Sequence, residues 1–444
     1  MRSPALLVLT LLLPLNSACI IVLGDGSGLS GGSGAGGDGT ASALPDPEEW
    51  RVPPVELTPD QQRRKDEADV YIAEHVYKGR PIEKTVQAYS GDILDYMKVA
   101  PLNVVAPEIP PLWENAVLPD DVTLALTEVE QYPELWGPTD TTLFTRPDFS
   151  RYIMEDTGAS SIEDWIANYE VHGLPDSAYR LYAGLDVVVP NHGASVRINQ
   201  FKPEVAEKSI SLIELAVRCP AVGEATEFIG LLLTVDRKNL GADSFTKDAH
   251  LRLRVEYVRN VNGKLVGTYD FGGQFEELDP ETYNAWPWPT VGSVLTPSVP
   301  GGAQVETWLA LVMDLEGSWW AFYNGKPLGK YPHAQLTTLN QGACAIQYYG
   351  EVYDHDPADG WAPTEMGSGQ FASAPAGQVA WVREPKYLDT TWLPMDPQDD
   401  SFERWSKPYE PSCYTRSSMV DLGMPWQSFK LGGPGGKDPL CKKP

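Results

Sequence analysis

From Ala183 onward the chain is a succession of short apolar or alternating runs with no helix-length pattern between them, and this constrains the fold more than any other feature. Asp186–Pro190, Ser195–Phe201, Ser209–Arg218, Phe228–Val235, His250–Val258, Glu306–Met313, Trp319–Tyr323, Ala343–Val352 and Gln378–Arg383 each read as a strand. Parallel strands need a crossover connection, usually a helix, between them, and none is written here. An antiparallel β-sandwich is therefore expected.

The preceding stretch has a different texture. Thr58-Pro59-Asp60-Gln61 combines a capping box with proline at the first helical position, Ala68, Ile72 and Val76 follow on one face, and Gly79 ends the run. This predicts a helix of about 18 residues. Pro101 to Arg146 is proline-rich with few periodic runs, after which Ser160-Ser161-Ile162-Glu163 starts a short helix carrying Trp165, Ile166 and Tyr169. The chain thus reads as mainly β, with a smaller α+β segment over 49–175 ahead of a sandwich over 176–444.

Arg2, the apolar run Ala5–Leu15 and the small residues Ser17 and Ala18 before Cys19 follow signal-peptide grammar, so residues 1–19 are expected to direct export. The run is too short for a comfortable membrane span. Leu15-Asn16-Ser17-Ala18-Cys19 is also similar to a lipoprotein signal, so simple cleavage and acylation of Cys19 both stay open. Residues 20–48 are Gly/Ser-rich and read as a flexible linker. A secreted protein, or one lipid-anchored at the cell envelope, is expected.

The other cysteines, Cys219, Cys344, Cys413 and Cys441, are even in number, which in an exported chain favours disulfides and leaves three pairings open. A formal charge of −27 argues against nucleic-acid partners, which need clustered Lys and Arg. In acid many of the carboxylates would be neutral, with less self-repulsion.

Catalytic signatures are mostly absent. There is no Gly-x-Ser-x-Gly elbow and no His-Glu-x-x-His helix, and His75, His172, His192, His250, His333 and His355 are scattered. His355 with Asp354, Asp356 and Asp359 reads as a solvated acidic loop, so neither metal nor cofactor is expected. Chemistry by carboxylates remains, with Gly350-Glu351-Val352 at a strand end as the first candidate.

Seven blocks occur in order: Ser195-Val-Arg-Ile-Asn-Gln-Phe-Lys-Pro203, Gly317-Ser-Trp-Trp-Ala-Phe322, Leu328-Gly-Lys-Tyr-Pro332, Tyr349-Gly-Glu-Val352, Met366-Gly-Ser-Gly-Gln-Phe371, Pro411-Ser-Cys-Tyr414 and Gly432-Gly-Pro-Gly435. The series resembles the peptidase domain of the neprosin family over residues 185–444, and Lys84-Thr-Val-Gln-Ala-Tyr-Ser-Gly-Asp-Ile-Leu-Asp95 is similar to its activation segment. The resemblance implies a secreted glutamic endopeptidase on a β-sandwich, made as a self-processing zymogen and cleaving after proline. Its two glutamates would be Glu351 and Glu227, with Glu224 in reserve because Phe228-Ile229-Gly230 departs from the family's small residue, Gly and Trp. Two such carboxyls would share a proton, the ionised one activating water and the protonated one serving as acid.

The resemblance also implies a Cys413–Cys441 disulfide, with Cys219 and Cys344 as the remaining pair, and a latency segment cut between Arg146 and Gly173. Trp319, Tyr349, Gly367, Ser368 and Gln370 are the expected substrate contacts, Gln370 standing where family members carry His. The partners would be protein or peptide substrates, acted on by a monomer. Two rivals remain: an inactive sandwich serving as a surface binding module, and a glycosidase, which also needs two carboxyls.

Overall fold

The computed structural model describes residues 56–98, 106–110, 113, 118–119, 121–138, 141–147, 149–154, 156, 158–168, 180–207, 209–220, 227–237, 250–261, 264–269, 275–277, 289–354, 363–397, 402–404, 411–419 and 427–441. All belong to the compact unit Thr40–Pro444. The leader, the linker, Cys19, Glu224, His355, Asp356 and Asp359 lie outside them.

Thr58 Oγ1 accepts from the Gln61 amide while the Gln61 side chain accepts from the Thr58 amide, and this box starts α1 (Pro59–Tyr71). A π-turn over Ile72–Val76 carries it on to the expected length, and Gly79 follows at φ +73°. The shorter α2 (Ser150–Met154) and α3 (Ile162–Asn168) come later, Ser161 Oγ accepting from the Asp164 amide at the start of α3. A small antiparallel sheet joins them, with β1 (Ile82–Gln87), β2 (Ile93–Lys98) and β4 (Thr141–Thr145) in that order. Between them β3 (Val122–Leu124) leaves this layer to pair in parallel with a strand of the sandwich.

The sandwich is antiparallel, as expected. Its first sheet runs β10 (Lys264–Tyr269), β9 (Arg252–Val261), β8 (Glu227–Asp236), β7 (Ser209–Cys219), β15 (Ala345–Asp354), β5 (Arg180–Val187), β18 (Phe402–Arg404). The second runs β11 (Glu276–Glu277), β14 (Lys326–Tyr331), β13 (Trp319–Tyr323), β12 (Gln304–Met313), β6 (Gly193–Asn199), β16 (Ala380–Leu388), β20 (Ser428–Gly432), β19 (Thr415–Arg416), with β17 (Pro394–Met395) beside β16 and β3 beside β12. Between the sheets lies one large core, to which β7 contributes Ile213, Leu215 and Val217, β8 Ile229, Leu231 and Leu233, and β12 Leu309 and Leu311. Disulfides join Cys219 to Cys344, at the ends of neighbouring strands, and Cys413 to Cys441 near the C-terminus.

The N-terminal helices cover the outer face of the first sheet. Ala68, Tyr71 and Ile72 of α1, Tyr152 and Ile153 of α2, and Ile162 and Trp165 of α3 form one apolar cluster with Leu212, Ala216, Leu232, Val258, Tyr349 and Tyr353. A charge pair reinforces this layer, Arg252 on β9 donating through both Nη atoms to Asp92 in the β1–β2 turn.

Candidate active site

Strand alternation decides which side chains can meet. With odd positions of β7 in the core, Leu212, Glu214 and Ala216 point to the covered outer face. Glu214 pairs with Tyr349 and Leu212 with Glu351, so Glu214 and Glu351 are diagonal neighbours, about 7–8 Å apart at their Cα atoms by sheet geometry. Across β8, Ala216, Gly230 and Glu256 stand level. Three glutamates thereby share one face, at 1%, 0% and 2% exposure for Glu214, Glu256 and Glu351.

The Glu214 side chain lies across Gly230, where a Cβ would come within 1.6 Å of its Oε1 and 3.0 Å of Glu256 Cγ. Only a residue without a side chain lets the Glu214 carboxyl lie over β8 beside Glu256. Tyr349 donates its hydroxyl to Glu214 Oε2, and Arg180 Nη1 donates to Glu351 Oε1 at 2.9 Å. Burial, then repulsion from Glu256 and Glu351, holds Glu214 well above the ordinary carboxyl range against the pull of the Tyr349 hydrogen bond. Burial also pushes Glu256 up to about 7, although the neighbouring Glu214 carboxyl and the charge of Arg180 act the other way. The Glu214–Glu256 pair therefore keeps a proton in mild acid, while Glu351 is paired with Arg180.

Glu227 opens β8 at an odd position, on the core side with Ile229 and Leu231, and the structure does not bring it to Glu351. Its carboxylate accepts from the Tyr257 hydroxyl at 2.6 Å and from the amides of Thr337, Thr338 and Leu339 at 2.9, 2.6 and 2.8 Å. Burial would raise its pKa, but the Tyr257 bond and the three amides outweigh burial and hold it below the ordinary value. In this position Glu227 anchors the 337–339 turn.

The other expected contacts also divide. Tyr349 stands among the glutamates. Trp319 is a core residue, 0% exposed, with its indole donating to the Leu339 carbonyl. Gly367, Ser368 and Gln370 belong to a turn whose Met366 packs on Gly350, and even positions of β15 face the core, so this turn meets β15 from the side opposite Glu351. Ser368 donates to the Gln378 carbonyl, and Gln370 is exposed.

Glu214, Glu256 and Arg180 were not anticipated from sequence. The available signal was a carboxylate inside an apolar strand, in Ile213-Glu214-Leu215 and Val255-Glu256-Tyr257, which is costly unless partnered. No group of side chains suited to a metal ion occurs among the described residues.

The neprosin family matches residues 287–434, a stretch that contains Glu351 and neither Glu214 nor Glu256. Among solved structures, scytalido-glutamic peptidase with a transition-state-analogue inhibitor is similar at a TM-score of 0.31 and 7% identity, over 56% of this chain and 97% of that one. A GH16 protein of Bacteroides ovatus in complex with a product gives a TM-score of 0.23 at 7% identity, over 38% and 66%. Sheep galectin-11 gives 0.19 at 12% identity, over 41% and 95%. Nothing about chemistry follows from likenesses this distant.

Proposed function

We propose that this chain, whose residues 287–434 carry the neprosin family's match, is a glutamic peptidase acting in acid, with Glu214 and Glu351 as the reacting carboxyls. The observation that carries the reading is the meeting of buried glutamates on one face, one beside Glu256 over Gly230 and one beside Arg180. Ionised Glu351 takes a proton from water as the oxygen attacks the scissile carbonyl. Glu214 then gives its proton to the departing nitrogen, so that the C–N bond breaks to a carboxylic acid and an amine. Neither metal nor covalent intermediate is required.

The layer formed by α1, α2 and α3 over these glutamates supports latency, since no peptide reaches the face while the layer is in place. The stretch Arg146–Gly173 is our choice for the activating cut. The leader-like start and the two disulfides support export.

The test is incubation of the full-length protein between about pH 3 and about pH 7 with a proline-containing peptide, beside Glu214→Gln, Glu351→Gln and Glu227→Gln. In the first two variants kcat/KM should fall about 10³-fold. Glu227→Gln should instead lower Tm and leave kcat/KM within about threefold. Wild-type inactivity throughout would favour the binding module, and loss confined to Glu227→Gln would return the first carboxyl to the core side of β8.

A further inference from the structure

The two disulfides stand in different surroundings. Cys413 is 0% and Cys441 8% exposed. Cys344, by contrast, is half-buried, and together with Cys219 it lines an open cavity of ≈ 370 Å³. The exposed residues Pro190, Thr337, Thr338, Gln341 and Thr390 form the rim of that cavity. None of the residues lining it is Asp or Glu, so an incoming anion meets no carboxylate in the wall.

The segment that carries Cys344 is held by more than the bridge. The Glu227 carboxylate accepts from the amides of Thr337, Thr338 and Leu339. The Ala343 amide donates to the Asn191 carbonyl at 2.8 Å, the Asn191 amide donates back to the Ala343 carbonyl at 2.9 Å, and the Cys344 amide donates to the Arg218 carbonyl at 2.9 Å. These bonds keep the two sulfurs beside one another when the bond between them opens. Opening is therefore reversible and leaves the sandwich folded.

We propose that Cys219–Cys344 is a thiol-exchange site, at which a small-molecule thiol entering the cavity forms a mixed disulfide with Cys344. The cavity lies at the small end of the range that small-molecule sites occupy, which suits a thiol of that class. The incoming thiolate attacks Cys344 Sγ, the more accessible sulfur. A new S–S bond forms there as the old one breaks, and the electron pair leaves on Cys219 Sγ, which takes a proton from water. A monothiol stays as the adduct. A dithiol goes on to displace Cys344 with its second sulfur, so that it is oxidised to a cyclic disulfide and both cysteines are reduced. Cys344 directly precedes β15, the strand of Glu351, so the modification loosens the start of that strand. The sulfur chemistry does not depend on the activity proposed above.

In the test, full-length protein is held folded near about pH 8 with 2-mercaptoethanol, quenched in acid and mapped by mass spectrometry without further reduction. The adduct should collect on Cys344 at least about tenfold faster than on Cys413 or Cys441. Thr390→Trp, on the exposed rim, should slow the Cys344 adduct about tenfold and leave the rate at the second bridge unchanged. Should that variant fail to fold by circular dichroism, Gln341→Trp narrows the same rim. The adduct-bearing protein should still unfold cooperatively, at a lower Tm, and recover the bridge when the thiol is removed. Equal rates at the two bridges, an adduct confined to Cys219, indifference to the rim variant, or attack seen only in urea would each overturn the proposal. No substrate enters the assay, so a failed peptidase reading leaves the result legible.

Discussion

At Gly230 the site depends on the absence of a side chain. The Glu214 carboxyl passes over it to reach Glu256, and a methyl group there would sit 1.6 Å from Oε1. The obstructing atom is the far end of a flexible side chain, so Gly230→Ala should displace Glu214 at a stability cost of only about 1 kcal/mol. Activity should suffer far more, with kcat/KM falling about 10²-fold as the proposed acid leaves its place. Steady-state kinetics beside a melting curve checks this, and unchanged kinetics would show that the Glu214 position is not used. At this scale the sequence could be read only in part. Glu351 drew notice through Gly350-Glu351-Val352, whereas the nearness of Glu214 to it depends on which residues stand level across strands, and alternation along one strand does not reveal that.

Strands buried on both faces were the legible elements, because their sequences are mostly apolar. All of Gln304–Met313 and Ala345–Asp354 is buried, and both regions were anticipated. β1 has exposed and half-buried residues only, so Ile82-Glu-Lys-Thr-Val-Gln87 shows no core-facing alternation and was missed. β14 was missed despite a usable cue: Asn324 and Gly325 at φ +47° and +80° make a two-residue turn that returns the chain from β13. In the small sheet, buried Asp95 on β2 accepts from Arg146 Nε and Nη2 at 2.8 and 2.9 Å, from Thr85 at 2.6 Å and from Tyr77 at 2.6 Å. Burial would raise its pKa, but these donors, Arg146 first, hold it below the ordinary value. A depressed carboxylate contributes stability that is present above its unfolded pKa and lost as pH falls through the folded one. Asp95→Asn should therefore cost the N-terminal layer about 2 kcal/mol near about pH 6 and much less near about pH 2. Hydrogen exchange of the β1, β2 and β4 amides, corrected for intrinsic rates, reads the difference, and an equal effect at both pH values would count against the charge network.

Across the whole molecule the buried carboxyls pull in opposite directions with pH. Asp95 and Glu227 have depressed values and lose their contributions in acid. Glu214 and Glu256 have raised values, so the folded state binds protons there that the unfolded state has released. Their contribution is fully present below the unfolded carboxyl pKa and is lost as pH rises through the folded value, about 7 for Glu256. A net charge of −27 at neutrality acts in the same sense, through repulsion that protonation relieves. Mild acid is thus where the glutamate face is most comfortably folded, while stronger acid first weakens the layer that covers it. Glu256→Gln isolates one part of this balance, because an amide keeps the shape and hydrogen-bonding capacity of the protonated acid without titrating. Urea unfolding at stepped pH should show wild type losing stability relative to Glu256→Gln between about pH 5 and about pH 7, with the two curves converging below that range. Parallel curves would mean that Glu256 is ionised in the fold, and then Glu214 could not draw its proton from a shared pair.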